Sequence, residues 1–350
     1  MGMPEVQIQF TSKAITAIER SEQGIVALII QDEEADEGVA SYTGITDLDE
    51  DTYTEQNYDY IRMALEGTPS KVIVVNVGED GSALDGVEKL KNKRFNYLAV
   101  PFADDETEDV ATFITEQRGN KKKTFKAVLA NESADNEGII NFTADNIEVD
   151  GTTYTTAEFT PRIAGVLAAM PLTRSATYSV LNEVESVTEP DDLDEAVEDG
   201  ELFLVDDGEK IKISRAVNSL TDVGDGESDE WTKIKIVDAM DQIKDDIRNT
   251  FNDEYVGQVN NDYDQKTQFI AAVSSYFRQM TREGALDEVG ENKAKIDVAA
   301  QREYLELQGR NVEDMSEQEI KEENTGSQVF LEAEVRLLDA MEDLSLDINV

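Results

Sequence analysis

Ile25-Val26-Ala27-Leu28-Ile29-Ile30 is six apolar residues in a row, entered from Gly24 and left through Gln31-Asp32. A run of that length without alternation is the pattern of a strand buried on both faces, as in a parallel sheet covered by helices. The same reading applies to Lys71-Val72-Ile73-Val74-Val75-Asn76-Val77, to Tyr97-Leu98-Ala99-Val100 before Pro101, and to Phe125-Lys126-Ala127-Val128-Leu129. Helical stretches lie between them: Tyr53 to Glu66, stopped by Gly67-Thr68-Pro69, then Leu84 to Lys91 and Glu106 to Glu116. Strand–helix alternation of this kind predicts a parallel α/β sheet over residues 25–130.

Further along, Ile139-Ile140-Asn141-Phe142 and Ile147-Glu148-Val149 read as short strands, and Ala157 to Met170 as a helix. In that helix the small residues Ala164, Gly165, Ala168 and Ala169 permit close packing. Leu202-Phe203-Leu204-Val205 and Lys210-Ile211-Lys212-Ile213, joined through Asp206-Asp207-Gly208, predict a β-hairpin. The acidic loop from Thr221 to Glu230 is the expected domain boundary. Two long amphipathic helices follow. Ile236, Met240, Ile243, Ile247, Phe251 and Tyr255 form one apolar stripe, Phe269, Val273, Phe277 and Met280 another, and both are expected to face a core. Lys295-Ile296-Asp297-Val298 is strand-like.

Both ends of the sequence alternate with period two. Leu344, Leu346, Ile348 and Val350 fall on one face of a candidate terminal strand; Val6, Ile8 and Phe10 do the same near the start. Neither strand is expected to have a hairpin partner beyond it. Each either closes the domain's own sheet or adds to a sheet of another molecule.

Composition excludes whole classes of chemistry. The chain has 350 residues, 39% of them hydrophobic, with 31 Lys and Arg against 77 Asp and Glu, a net charge of −46. Such a surface repels nucleic acid and anionic membranes. Lys121-Lys122-Lys123 is the one basic cluster, read as the cap of a loop. Cysteine and histidine are both absent, which removes disulfides, thiolate metal sites and every histidine-based catalytic device. Asp47-Leu48-Asp49-Glu50-Asp51 begins like a calcium loop, but Thr52 replaces the required glycine and Tyr58 the bidentate glutamate. Gly78-Glu79-Asp80-Gly81-Ser82 lacks a P-loop lysine, so it reads as a plain βα turn. No catalytic residue, cofactor or metal site is expected, and the protein is not read as an enzyme. The opening Met-Gly-Met-Pro-Glu has no basic and apolar leader, and the longest apolar run, Ile163 to Met170, is too short to span a bilayer, so a soluble protein is expected.

Several segments resemble contractile tail sheath proteins of phages and phage-tail-like particles. Thr160-Pro161-Arg162-Ile163-Ala164-Gly165-Val166-Leu167-Ala168, followed by Pro171-Leu172-Thr173-Arg174-Ser175, is similar to one family segment. Ile213-Ser214-Arg215-Ala216-Val217-Asn218-Ser219-Leu220 is similar to another. Trp231 to Leu286 resembles the family's long helix pair, with Phe251-Asn252-Asp253 between and Gly284-Ala285-Leu286 at the end. Met3 to Phe10 and Ala17 to Val26 resemble the opening of short sheath subunits of Gram-positive phages and prophage particles.

The resemblance implies a mixed α/β and α+β architecture. An N-terminal arm would cover 1–23, an outer α/β domain 24–220, an inner sheath domain with two long helices 221–326, and a C-terminal arm 327–350. It implies stacked hexameric rings around a tail tube, joined by arms that add strands to neighbouring subunits, with contraction as a rigid-body rearrangement. The partners would be copies of the chain, the tube, and baseplate and terminator proteins, in a virion tail or tail-like particle assembled in the host cytoplasm. Val6, Ile8, Phe10, Leu344, Leu346, Ile348 and Val350 match the arms; Lys233, Lys244, Lys266 and Arg278 match the tube-facing helix surfaces. The competing readings are a monomeric acid-surfaced α/β binding protein or enzyme, and another tail component such as a tube or baseplate subunit.

Overall fold

Side chains of β1 (Ile25–Ile30) divide alternately between two cores: Val26, Leu28 and Ile30 enter one, Ile25, Ala27 and Ile29 the other. This is the geometry of a central strand in a covered parallel sheet. The structure, a computed structural model, describes residues 17–103, 105–224 and 228–348. It divides into two compact units, one built on Glu22–Ile243 with the chain from Asp339, the other on Lys244–Leu338 with the chain up to Ser21.

In the first unit β1 is followed by β2 (Gly38–Tyr42), α1 (Glu55–Glu66), β3 (Lys71–Asn76), α2 (Ala83–Leu90), β4 (Tyr97–Ala99), α3 (Thr107–Gly119) and β5 (Lys126–Ala130). Next come β6 (Ile139–Phe142), β7 (Asp145–Val149), β8 (Thr152–Tyr154), α4 (Thr156–Ala169), β9 (Val184–Thr188), α5 (Leu193–Glu198), β10 (Glu201–Leu202), β11 (Leu204–Asp206) and β12 (Ile211–Ile213). Among the described residues the main sheet runs β10-β6-β5-β4-β1-β3-β2, parallel throughout except for β2. Helices α1 and α4 cover one face through Tyr60, Ile61, Ala64, Phe159 and Ile163; α2 and α3 cover the other through Val87, Leu90, Val110 and Ile114. Ser82 and Thr155 start α2 and α4 with reciprocal capping boxes to Asp85 and Glu158.

The parallel sheet expected over residues 25–130 is present and extends past it through β6 and β10. Two local expectations change. Gly38–Tyr42 forms an antiparallel edge strand whose half-exposed residues carry no buried-strand signature. The expected hairpin is shorter: Leu204–Asp206 pairs with Ile211–Ile213, while Leu202 pairs with Phe142 in the main sheet. Phe203, between them, is buried and exchanges hydrogen bonds with Ser214, so the chain passes from one sheet to the other there.

The second unit holds the C-terminal part of α6 (Ile234–Glu254), then α7 (Tyr263–Glu283), β13 (Lys293–Ile296), α8 (Val298–Leu307), α9 (Glu317–Glu322) and β14 (Leu331–Glu334). Asp262 caps α7, and Gly284 ends it in the left-handed conformation. Its stripe Phe269, Val273, Phe277 and Met280 is buried, as the periodicity requires. Strands β13 and β14 pair antiparallel, forming a two-stranded sheet. The strand expected at Lys295–Val298 ends at Ile296, because Asp297 caps α8 by accepting from Ala300 N–H at 2.9 Å.

Helix α6 departs from its apolar stripe. Of the six stripe residues only Ile236 is fully buried; Met240, Ile243, Ile247, Phe251 and Tyr255 are half-buried. Asp241, Asp245, Asp246 and Thr250 are buried instead. The physical reason is polar: Asp241, Asp246 and Thr250 meet cations and donors from distant parts of the chain, and Asp245 pairs with Arg248 one turn on. The division between units also falls inside α6, between Ile243 and Lys244, rather than at the acidic loop after Leu220. The first turns of α6 pack with the main sheet.

Candidate assembly surface

Tyr97 on β4, Arg118 on α3 and Lys126 on β5 meet Asp238 and Asp241 on the first turns of α6. The Lys126 ammonium lies 3.0 Å from Asp238 Oδ1 and 3.1 Å from Asp241 Oδ2, and 4.9 Å from the centre of the Tyr97 ring. Arg118 donates to both Asp241 oxygens, at 2.8 and 3.2 Å, and to Glu137 at 2.9 Å. The Tyr97 hydroxyl donates to Asp238 at 2.8 Å. Burial alone would raise the Asp241 carboxyl, but Lys126 and Arg118 outweigh it and hold it below the usual range. Burial likewise acts to lower Lys126, and the two aspartates outweigh it and raise its pKa. The cluster contains no nucleophile–base pair aimed at an open cleft. It is a brace that fixes the start of α6.

In the second unit residues 18–21 are pinned to α6 and α7. Ile18 is buried, Glu19 N–H donates to Thr250 Oγ1 at 3.0 Å, and Ser21 N–H donates to Asp246 Oδ1 at 2.6 Å. Tyr276 donates to Asp246 Oδ2 at 2.7 Å, and the Arg20 guanidinium stacks 4.9 Å over the Tyr276 ring. Val6, Ile8 and Phe10 lie outside the described residues, as does Val350.

At the other end, residues 339–348 include no strand. Leu344 is 89% exposed, Leu346 70% and Ile348 74%. Three alternate apolar side chains therefore stand exposed on a segment that has no strand partner among the described residues.

The four candidate cations are placed differently from one another. Lys244 and Arg278 are exposed. Lys233 is half-buried and ion-paired with Asp339. Lys266 is only 3% exposed, its ammonium directed to Thr325 Oγ1 at 3.1 Å and Gln301 Oε1 at 3.4 Å. Lys266 thus joins α7 to α8 and to the turn before β14, and presents no charge at the surface. It sits on the buried side of α7, as its spacing three residues before Phe269 and seven before Val273 allows.

Among the described residues no group of His, Cys, Asp and Glu could hold a metal ion, and no helix is long and apolar enough to cross a membrane.

Residues 78–219 match the family model of the phage tail sheath protein central domain, and residues 227–350 that of the phage tail sheath C-terminal domain. The tail sheath protein of Clostridium phage phiCD119 is 38% identical over 362 aligned residues, covering 100% of this chain and 99% of the relative. The chain belongs to the phage tail sheath family. It is a structural subunit of a tail sheath, with the mixed α/β fold of such subunits. The sheath tail protein of Desulfitobacterium hafniense superposes with a TM-score of 0.71 at 15% identity, over 84% of this chain and 94% of its own. The helical sheath of the anti-feeding prophage in its contracted state gives 0.72 at 12% identity, over 100% and 99%. These two likenesses concern the fold. The first matched region ends just before the acidic loop and the second begins within it, whereas the compact units divide within α6. The long helix that the ionic brace ties to the main sheet therefore lies, in sequence, within the matched C-terminal region.

Proposed function

We propose that this sheath subunit polymerises as stacked hexameric rings around a tail tube, and contracts to drive the tube through a cell envelope. Its C-terminal residues 344–350 act as an arm that adds a strand to a sheet of an adjoining copy, with Val6, Ile8 and Phe10 as the matching positions of an N-terminal arm. One observation carries this reading: Leu344, Leu346 and Ile348 alternate, are exposed, and have no strand partner among the described residues. The sheet β13–β14 supports it from the receiving side, because a two-stranded sheet is marginal alone and gains from added strands. Backbone hydrogen bonds would join the copies while alternate side chains fill pockets. A head-to-tail contact of this kind that does not close on itself generates a helix. Partners in this reading are copies of the chain, the tube protein, and baseplate and terminator proteins; the site is a virion tail or tail-like particle assembled in the host cytoplasm. Contraction moves subunits as rigid bodies while the arms keep the mesh connected.

Deleting residues 344–350 tests the proposal. The shortened chain is expected to keep the circular dichroism and thermal midpoint of the parent and to lose polymerisation, whereas the overexpressed parent is expected to form hollow striated tubes in negative stain. A shortened chain that unfolds instead shows a strand belonging to its own domain.

A further inference from the structure

The stretch directly before the exposed apolar residues is held by charge. Asp339, Glu342 and Asp343 are three acids within Asp339–Asp343. Asp339 is ion-paired with Lys233. Asp343 Oδ1 accepts from Arg215 Nη2 at 2.5 Å, and Nη1 of the same guanidinium lies 3.8 Å from Glu342 Oε2. The Thr177 hydroxyl donates to Glu342 Oε1 at 2.7 Å, and its oxygen accepts Ala216 N–H at 3.0 Å, so this donor is itself fixed. Lys235 is buried nearby, within the field of Asp339 and Glu342. The bond to Arg215 lowers the Asp343 carboxyl, and the bond to Asp343 raises Arg215. All these residues belong to one compact unit. Met341, in the middle of the stretch, projects fully into solvent.

We propose that Asp339, Glu342 and Asp343, gripped by Lys233, Arg215 and Thr177, form an ionic clasp that fixes where the C-terminal arm leaves the subunit. The clasp leaves the alternating apolar residues beyond it undocked until another copy of the chain receives them. This inference rests on the arm reading of residues 344–350.

The physical case has two parts. A single exposed ion pair contributes little, but two cations and a fixed hydroxyl on one short acidic stretch restrict it from several sides at once. An arm free from Asp339 onward would lose the conformational freedom of the whole 339–343 stretch on docking. A clasped root has already lost it, and preorganisation of that kind raises affinity without a new contact. In a chain of net charge −46 the acids of this stretch would otherwise be repelled by the rest of the surface.

The chain has no cysteine, so Met341→Cys supplies a unique position for a nitroxide label on the unassembled full-length protein. The clasp predicts a motionally restricted spectrum in the otherwise unchanged chain. It predicts a fast one in two independent variants: Arg215→Gln with Lys233→Gln on the body side, and Asp339→Asn with Glu342→Gln and Asp343→Asn on the arm side. The arm-side variant leaves the body intact and keeps the test valid should the body-side variant fail to fold. Arg215→Glu combined with Asp343→Arg is expected to recover part of the restriction. The critical concentration for polymerisation should rise about threefold to tenfold in the arm-side variant, the effect of losing a set of weak ion pairs. A label equally mobile, or equally restricted, in the unchanged chain and the arm-side variant overturns the clasp. The deletion of 344–350 separates the two proposals. If the shortened chain polymerises like the parent, the arm reading fails whatever the label shows; if it does not polymerise while the label is indifferent to charge, the clasp alone fails.

Discussion

Gly67, just past the end of α1, and Gly165, in the middle of α4, meet backbone to backbone. A Cβ on Gly67 would lie 2.1 Å from the carbonyl carbon of Gly165, and one on Gly165 would lie 2.2 Å from the carbonyl oxygen of Ala64. Both distances are far inside van der Waals contact, and the obstructing atoms are main chain that cannot rotate aside. Helices α1 and α4 therefore cross at a separation that only glycine permits, and this crossing closes one face of the main sheet. Gly165→Ala is expected to force the helices apart and lower unfolding stability by about 1–3 kcal/mol, the usual cost of overpacking a core. Urea denaturation checks this; an unchanged midpoint would show that the crossing has slack.

Asp241 answers to Arg118 and Lys126, and the three side chains are buried together. Removing one member of such a set leaves buried charge uncompensated, so Asp241→Asn is expected to cost about 3–5 kcal/mol. The pH dependence follows from the sign of the shift. The folded-state pKa of Asp241 lies below its unfolded value, so its contribution is complete above the unfolded pKa and is lost as pH falls through the folded one. Parent stability should decline on acidification below about pH 4, and the decline should be shallower in Asp241→Asn. Equal slopes in the two proteins would assign the acid sensitivity to other carboxylates.

Ile25–Ile30 and Lys71–Asn76 were legible in the sequence because burial on both faces leaves unbroken apolar runs, and a sheet of such strands has few topologies open to it. Gly38–Tyr42 was not legible, since an edge strand buries little and Gly38 and Ser41 do not favour strands. Periodicity placed Met240, Ile243 and Ile247 on the core side of α6, yet Asp241, Asp245 and Asp246 are the fully buried ones. The partners of Asp241 lie 123 and 115 residues away, and with 77 acids in the chain no carboxylate position stands out until the fold brings a cation to it. The alternation of Leu344, Leu346 and Ile348 was plain in the sequence; its lack of a strand partner among the described residues was not, because pairing is a tertiary property. The acidic stretch Asp339–Asp343 gave no signal at all without Arg215 and Lys233 beside it.

A net charge of −46 on each copy opposes bringing copies together. Raising NaCl from about 10 mM to about 150 mM shortens the screening length from about 30 Å to about 8 Å, below the width of a subunit. Polymer yield, measured by sedimentation at fixed protein concentration, should rise over that range. A fall instead would mean that attractive ion pairs between copies outweigh the general repulsion.

Lys266 and Arg278 lie on the same helix and are expected to behave oppositely in assembly with a tube. Arg278 is exposed, and no hydrogen bond or ion pair holds it among the described residues, so its charge is available to a partner. Lys266 is buried on neutral oxygens, and burial lowers its pKa, the direction of a net desolvation penalty. If the ammonium is removed, Thr325 Oγ1 still accepts from Asn261 at 3.1 Å and donates to Gln328 O at 2.6 Å, while Gln301 keeps its amide donation to Ile320 O and loses the bond to Oε1. Lys266→Met should therefore be close to neutral in stability, within about 1 kcal/mol, because a lost buried charge offsets lost hydrogen bonds. The sign with pH follows. The penalty for burying the charged amine is present below the folded pKa and is relieved as pH rises through it toward the unfolded value, so the parent should gain stability relative to Lys266→Met at alkaline pH. Arg278→Glu should leave stability within about 0.5 kcal/mol, as for surface substitutions generally, and reduce the fraction of subunits that co-sediment with preformed tubes. Lys266→Met should leave that fraction unchanged. If Arg278→Glu has no effect on co-sedimentation at low salt, the exposed face of α7 does not meet the tube.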